Sequence, residues 1–246
     1  MSLTTSKNYT VHYYEIDVKK RALITTIVNY LMDICSVQSE KAGVGVDYLL
    51  DDNKGWILTQ WHIIINKYPI YDETVKVSTK ANSFHKYFAY RKNYIEDMEG
   101  NLIVDGYSNW LLVDTIKRKP VKITNDMYSA YKITEENNER FPSARLHDLK
   151  EWDIEKRFTV RYSDIDTNEH VNNVKYISWI VESVPLEVAL DLELKELTIV
   201  YKKETGYGHT IDVHTSIIKT DDGTLCKHNI VNDAGEVITQ AETLWK

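Results

Sequence analysis

The feature that most constrains this chain is that it repeats itself. Val11-His12-Tyr13-Tyr14-Glu15-Ile16-Asp17 returns as Val160-Arg161-Tyr162-Ser163-Asp164-Ile165-Asp166, 149 positions later. Thr74-Val75-Lys76-Val77 returns as Thr210-Ile211-Asp212-Val213 at an offset of 136. Asp97-Met98-Glu99-Gly100 leads to Trp110 over the same ten-residue span that separates Gly235 of Asp233-Ala234-Gly235 from Trp245. Three matches in one order mark a duplicated unit, and a duplicated unit must bury its apolar face twice in the same way.

Each copy has one pattern: a short strand, one long helix, then several strands. Ile24, Val28, Leu31 and Cys35 recur every three or four residues, with Ile27 and Ile34 beside them. They predict a helix over about Ala22–Ala42 with a wide apolar face, stopped at Gly43. Val174, Ile177, Val181 and Val184 predict a second over about Asn172–Ser183, ended by Pro185. Strands are predicted at 56–65, 74–81, 87–96 and 102–113, and at 197–203, 211–219, 225–231 and 237–245. The two glycine-bearing segments before Trp110 and Trp245 read as hairpin turns. A polar stretch from Thr134 to Lys150, with Glu135-Glu136-Asn137-Asn138-Glu139-Arg140 and Pro142, reads as a linker. The expected organisation is a unit at 1–133, a linker at 134–152 and a unit at 153–246. An antiparallel sheet around a single buried helix is an α+β arrangement, and two such sheets paired edge to edge leave fewer open strand edges.

Composition narrows the function. A formal net charge of −7 argues against a protein that coats nucleic acid. The 17 tyrosines, with frequent Val, Ile and Thr, favour strands. Cys35 and Cys226 stand in no metal or redox spacing and read as free thiols of a reducing compartment. The first residues lack the apolar core of a signal peptide, and no apolar run approaches bilayer length. The expectation is a cytoplasmic protein with no nucleic-acid or membrane partner, a monomer or homodimer. His209, His214 and His228 suit no metal geometry by spacing, so neither a metal nor a cofactor is expected.

Polar chemistry concentrates at Asp164-Ile165-Asp166-Thr167-Asn168-Glu169-His170-Val171-Asn172-Asn173, at the entry to the second helix. So many hydrogen-bonding groups beside a buried helix are costly without partners. This segment, continued to Tyr176, resembles the acyl-acyl-carrier-protein thioesterases. Tyr201-Lys202-Lys203-Glu204-Thr205-Gly206 resembles that family's Tyr-Arg-Arg-Glu-Cys-Gly, and Tyr68-Pro69-Ile70-Tyr71-Asp72-Glu73-Thr74-Val75 its Tyr-Pro-x-Trp-x-Asp-x-Val. The resemblance runs from about Tyr9 to the C-terminus. It implies two tandem hot-dog units with their sheets paired into one continuous curved sheet. It also implies an acyl-chain pocket in the first unit and a catalytic group of Asp166, Asn168, His170 and Glu204 acting on a fatty acyl-acyl-carrier protein. At the duplication offsets Asn168 falls on Lys19, His170 on Arg21 and Glu204 on Tyr68, so one active site per chain is expected. Thr205 stands where the family often has Cys, which removes a thiol nucleophile.

In this reading Glu204 is the general base that takes a proton from water. Asn168 and His170 polarise the thioester carbonyl, Asp166 orients them, and N–H groups near Asn172 and Asn173 add to the oxyanion site. Attack by the Glu204 carboxylate itself, through a mixed anhydride, is a second route. An acyl-CoA thioesterase with Asp166 as base or nucleophile, and a non-catalytic acyl-thioester-binding protein, are the alternatives. Lys19-Lys20-Arg21, Lys117-Arg118-Lys119 with Lys122, and Lys202-Lys203 are the basic clusters available to an acidic carrier.

Overall fold

The computed structural model describes residues 2–138, 141, 143–167 and 169–246. It divides into two compact units, Met1–Thr59 with Asn66–Ser143, and Gln60–Ile65 with Ala144–Lys246. The first runs β1 (Thr4–Thr10), a 3-10 turn (Tyr13–Glu15), α1 (Ile24–Lys41), α2 (Val46–Asp51), β2 (Lys54–Ile65), β3 (Thr74–His85), β4 (Phe88–Glu96) and β5 (Leu102–Asp114). Then come β6 (Lys119–Pro120), α3 (Asn125–Ala130) and a 3-10 turn at Glu135–Asn137. The second unit runs β7 (Ile154–Thr159), a 3-10 turn (Tyr162–Asp164), α4 (Asn173–Ser183), α5 (Leu186–Asp191), β8 (Leu194–Tyr201), β9 (Thr210–Thr220), β10 (Gly223–Asn232) and β11 (Val237–Trp245).

The duplication is therefore structural: a strand, a 3-10 turn, a long helix, a short helix and four strands recur, while β6, α3 and the 3-10 turn at Glu135–Asn137 belong to the first unit alone among the described residues. Strand order is β1-β3-β4-β5-β2 in the first unit and β8-β11-β10-β9-β7 in the second. The latter half of β2 belongs to the second unit and pairs with β8, from Gln60↔Val200 to Ile64↔Glu196. The expected helices and strands form, with ends shifted by a few residues. Gly43 sits just past α1 at φ +71°, and Gly100 and Gly235 take φ +88° and +77° in their hairpins, a region that costs glycine least. Three short helices were not anticipated. α2 and α3 place Leu49 and Met127 in a satellite core with Phe84, Leu112 and Tyr131. Pro185, which ends α4, also caps α5. Of the expected linker, Glu139, Arg140 and Pro142 lie outside the described residues. Asn138 is tied down: its side chain accepts from the Phe84 N–H (2.8 Å) and donates to the Phe84 carbonyl (3.0 Å).

The apolar face of α1 is buried as its spacing dictates, with Ile27, Leu31 and Ile34 at 0% exposure. On α4 the buried face is Val174, Tyr176, Ile177, Trp179 and Ile180. Beneath each helix runs a ladder of buried polar groups crossing the strands. In the first unit Trp110 Nε1 donates to Ser108 Oγ (2.9 Å), Asn93 Nδ2 donates to Ser108 Oγ (3.1 Å), and Thr79 Oγ1 donates to Asn93 Oδ1 (2.7 Å). Cys35 Sγ of α1 meets the same Asn93 oxygen at 3.0 Å. In the second unit the rungs are Trp245, Thr243, His228, Thr215 and, from α4, Ser183. His228 replaces Asn93, its two ring nitrogens lying 2.9 Å from Thr215 Oγ1 and 3.0 Å from Thr243 Oγ1. Fully satisfied networks of this kind fix strand register against helix.

Burial pushes the His228 imidazole down to about 3. The fold thus holds a neutral histidine, whereas the unfolded chain protonates it below its ordinary value of 6.5. Stability contributed by this group is complete above pH 6.5 and is lost as pH falls from there toward 3, by about 1.4 kcal/mol per pH unit. Replacing His228 by the residue its counterpart uses, His228→Asn, is expected to remove that slope. Urea unfolding at pH 7, 6 and 5 checks it: the wild-type minus variant stability difference should shrink steadily with acidification.

Candidate active site

The segment entering α4 is a small self-bracing hairpin. The Asp164 side chain, fully buried, accepts from the Arg161 N–H (2.8 Å) and from the Arg161 guanidinium (3.1 and 3.0 Å), with Lys175 Nζ at 3.5 Å. Burial alone would raise this carboxyl, but the cationic and N–H partners outweigh it and hold it below the ordinary carboxylate range. The chain reverses through Glu169 at φ +63°, Ile165 bridges Val171, and the Asp166 N–H donates to the His170 carbonyl (2.8 Å). Asp166 and His170 are thereby held across one turn. The Val171 N–H then donates to the Thr205 carbonyl (2.9 Å), docking the segment that follows β8.

That brace brings His170 Nε2 to 3.4 Å from Glu204 Oε1, with the two side chains 38% and 39% exposed. Acid–base contacts in an unliganded site are often this long and tighten around substrate. Glu204 lies beyond the end of β8 at Tyr201, not in the strand expected to reach Lys203. Asp166 and Glu204 both bear electrostatically on the Tyr176 hydroxyl. Asn168 lies outside the described residues. One expectation is corrected: the Asn172 N–H donates to the Asp164 carbonyl (2.8 Å), so it is committed to the fold and is not available to an oxyanion. The Asn172 side chain caps α4, accepting from the Val174 N–H at 2.9 Å.

The first unit repeats the frame with different chemistry. Lys20 takes φ +62°, the Asp17 N–H donates to the Arg21 carbonyl (2.8 Å), and the Ala22 N–H donates to the Pro69 carbonyl (2.8 Å). Here Arg21 Nε and Nη2 donate to Asp17 Oδ2 at 2.9 and 2.8 Å, while the guanidinium lies over the Tyr68 ring, 5.3 Å from its centre. An ion pair and a ring thus stand where the second unit has its imidazole and carboxylate.

The three late histidines go to three places. His209 pairs with Asp233 (2.8 Å), His214 stacks on Trp152 (3.8 Å between ring centres), and His228 is the buried rung. Among the basic clusters, Lys202 and Lys203 are engaged by Asp148 (3.1 Å) and Glu236 (2.7 Å). Tyr176, 2% exposed, packs edge-on against Tyr201 (5.7 Å between ring centres), whose hydroxyl donates to the Asn173 carbonyl (3.0 Å) at the start of α4. Its counterpart at the 149 offset is Ile27.

Two units, each an antiparallel sheet with one long helix, define a tandem hot-dog protein whose second loop entry brings the His170 imidazole and the Glu204 carboxylate together. The chain belongs to the acyl-ACP thioesterase family: residues 2–131 match the acyl-ACP thioesterase N-terminal domain and residues 147–246 the C-terminal domain. It is 27% identical to a chloroplastic acyl-[acyl-carrier-protein] hydrolase of Cuphea viscosissima, over 99% of this chain and 62% of that protein. A chloroplastic palmitoyl-acyl carrier protein thioesterase of Gossypium hirsutum is 26% identical over 99% and 64%. The chain thus spans less than two thirds of the length of these relatives. Its fold is similar to a structure described as an oleoyl thioesterase of Lactobacillus plantarum (TM-score 0.91, 28% identity, 100% of this chain and 96% of that one). The fold alone is shared with the 12:0-ACP thioesterase of Umbellularia californica (TM-score 0.84, 19% identity, 99% and 97%).

Removing the α4 cap tests the frame independently of chemistry. Asn172→Ala is expected to cost about 1 kcal/mol and to lower Tm by about 2–4 °C, measured by thermal melts at pH 7.

Proposed function

We propose that this chain hydrolyses the thioester of a fatty acyl-acyl-carrier protein, releasing free fatty acid and the carrier thiol. The observation that carries the reading is the 3.4 Å approach of His170 Nε2 to Glu204 Oε1 at an accessible loop entry. Glu204 takes a proton from water, and the water oxygen adds to the thioester carbonyl. The negative charge passes to the carbonyl oxygen, where His170 and Asn168 donate, and Asp166 holds the turn that aims them. Collapse of the tetrahedral adduct breaks the C–S bond, and the proton held by Glu204 goes to the departing sulfur. A nucleophile at position 205 is disfavoured, because Thr205 carries a hydroxyl and no thiol and is 9% exposed. We assign the acyl tail to the first unit, whose loop entry is occupied by the Arg21–Asp17 pair. No helix among the described residues is long and apolar enough to cross a membrane. The two buried free thiols suit the reducing cytoplasm we assign to the protein.

Glu204→Gln is expected to lower turnover of an acyl-carrier-protein substrate by about 10²–10⁴ with folding intact. Near-full activity would remove the base assignment. Thr205→Ala should stay within about twofold of wild type, since only its backbone is used in the frame. Running the same variants, with Asp166→Asn, on acyl-carrier-protein and acyl-CoA thioesters separates the carriers. Faster turnover of the CoA thioester, with Asp166→Asn the more damaging change, would favour the acyl-CoA reading.

A further inference from the structure

Both loop entries carry exposed aromatic rings that the reaction scheme above does not use. Five of the 17 tyrosines are exposed, and all five flank a loop entry: Tyr13, Tyr14 and Tyr71 in the first unit, Tyr162 and Tyr207 in the second. Tyr13 and Tyr162 are counterparts at the 149 offset, and Tyr71 and Tyr207 at the 136 offset. The backbone beneath them is one device used twice. Tyr162 opens the 3-10 turn that the buried Asp164 braces. Tyr207 stands three residues after Glu204 and is followed by Gly208 at φ +79°. The Gly208 N–H donates to the Val160 carbonyl (3.2 Å), and the Val160 N–H donates to the His209 carbonyl (2.9 Å). The loop of Glu204 and Tyr207 is thus tied at one end to the hairpin of His170, by the Val171 to Thr205 bond, and at the other to the chain entering Tyr162. In the first unit Asp72 takes φ +66°, its N–H donates to the Val11 carbonyl (2.9 Å), and the Val11 N–H donates to the Glu73 carbonyl (3.0 Å). There the rings of Tyr13 and Tyr71 meet edge to face, 6.2 Å between centres. In the second unit Tyr162 and Tyr207 are 87% and 70% exposed, and among the described residues neither ring meets another. Exposed rings gathered at one place mark a surface that meets a ligand rather than a core.

We infer that Tyr162 and Tyr207 hold the pantetheine arm of the thioester substrate, the amide-bearing chain between the carrier and the sulfur. The inference rests on the reading of His170 and Glu204 as the acid–base pair of a thioesterase. The thioester carbon must lie at that pair, so the arm leaves across the surface beside it, where the two phenols stand. The arm is uncharged, with amides and a gem-dimethyl group. A tyrosine suits it: the ring packs on methyl groups and amide planes, the hydroxyl bonds an amide, and little side-chain entropy is lost.

The test uses one fatty acyl chain, the one wild type turns over fastest, as its thioester with acyl-carrier protein, with pantetheine and with N-acetylcysteamine, which keeps only the sulfur end of the arm. Tyr162→Ala and Tyr207→Ala are each expected to lower kcat/KM about threefold to tenfold on the first two and less than about twofold on the third. Both side chains are exposed, so the variants fold. Equal losses on all three thioesters, a loss on the carrier-protein substrate alone, or wild-type values for either variant overturn the proposal and leave the base assignment standing. The S-alkyl thioether of pantetheine, of the same chain length, cannot be hydrolysed and reads the arm apart from the chemistry. Calorimetry should show its affinity about threefold to tenfold weaker in each tyrosine variant. No binding by wild type, or unchanged affinity in either variant, overturns this proposal alone, whereas full activity of Glu204→Gln overturns the acid–base reading alone.

Discussion

One backbone hydrogen bond in each unit carries the arrangement. The N–H of the residue two before the long helix reaches the carbonyl of the segment that follows a long strand, Ala22 to Pro69 and Val171 to Thr205. In the first unit a second tie, from the Tyr71 N–H to the Lys20 carbonyl (2.9 Å), runs beside it. Without such ties, the hairpin at the helix entry and the segment after the strand would be two independent loops. Each would pay its own conformational entropy, and no side chain on one would have a fixed relation to a side chain on the other. With them, the residues next to the bonded ones on either side are paired. The second unit uses that pairing for His170 and Glu204, and the first for Arg21 and Tyr68.

The frame is older in the chain's logic than the chemistry it holds. Both units keep the 3-10 turn, its capping acid (Glu15, Asp164), the left-handed residue at the hairpin tip and the bridge into the helix. Both also keep the buried polar ladder from a tryptophan to the helix. What changed is short: an amide or imidazole on one rung, and the side chains at the loop entry. Buried parts are constrained by packing from all sides, whereas a half-exposed loop tolerates exchange.

That division also sets how much was legible in the sequence. The long helices were readable because Ile24, Val28, Leu31 and Cys35 on one, and Val174 and Ile177 on the other, repeat at the helical period. The strand boundaries followed from the turn glycines. The short helices were not readable, since six residues such as Val46–Asp51 hold too little periodicity and owe their form to the satellite core around Phe84. The approach of His170 to Glu204 was anticipated only through family resemblance, because 33 residues of intervening chain leave no local trace of it. The Asn172 N–H was misassigned for a related reason: its acceptor, the Asp164 carbonyl, becomes a neighbour only after the hairpin has closed. The ladder rungs Asn93 and His228 escaped notice because a polar residue on an inward strand position looks like an interruption until its partners are placed.

The isoleucines beneath the first loop entry give that unit a one-way character. Transplanting an imidazole and a carboxylate onto positions 21 and 68 would reproduce the residue types of the second loop entry but not what lies under it. There the Tyr201 hydroxyl ties the end of β8 to the Asn173 carbonyl at the start of α4 (3.0 Å), and Ile65 at the matching position has no hydroxyl to do so. A designer wanting two working centres would have to remodel the interior as well as the visible residues.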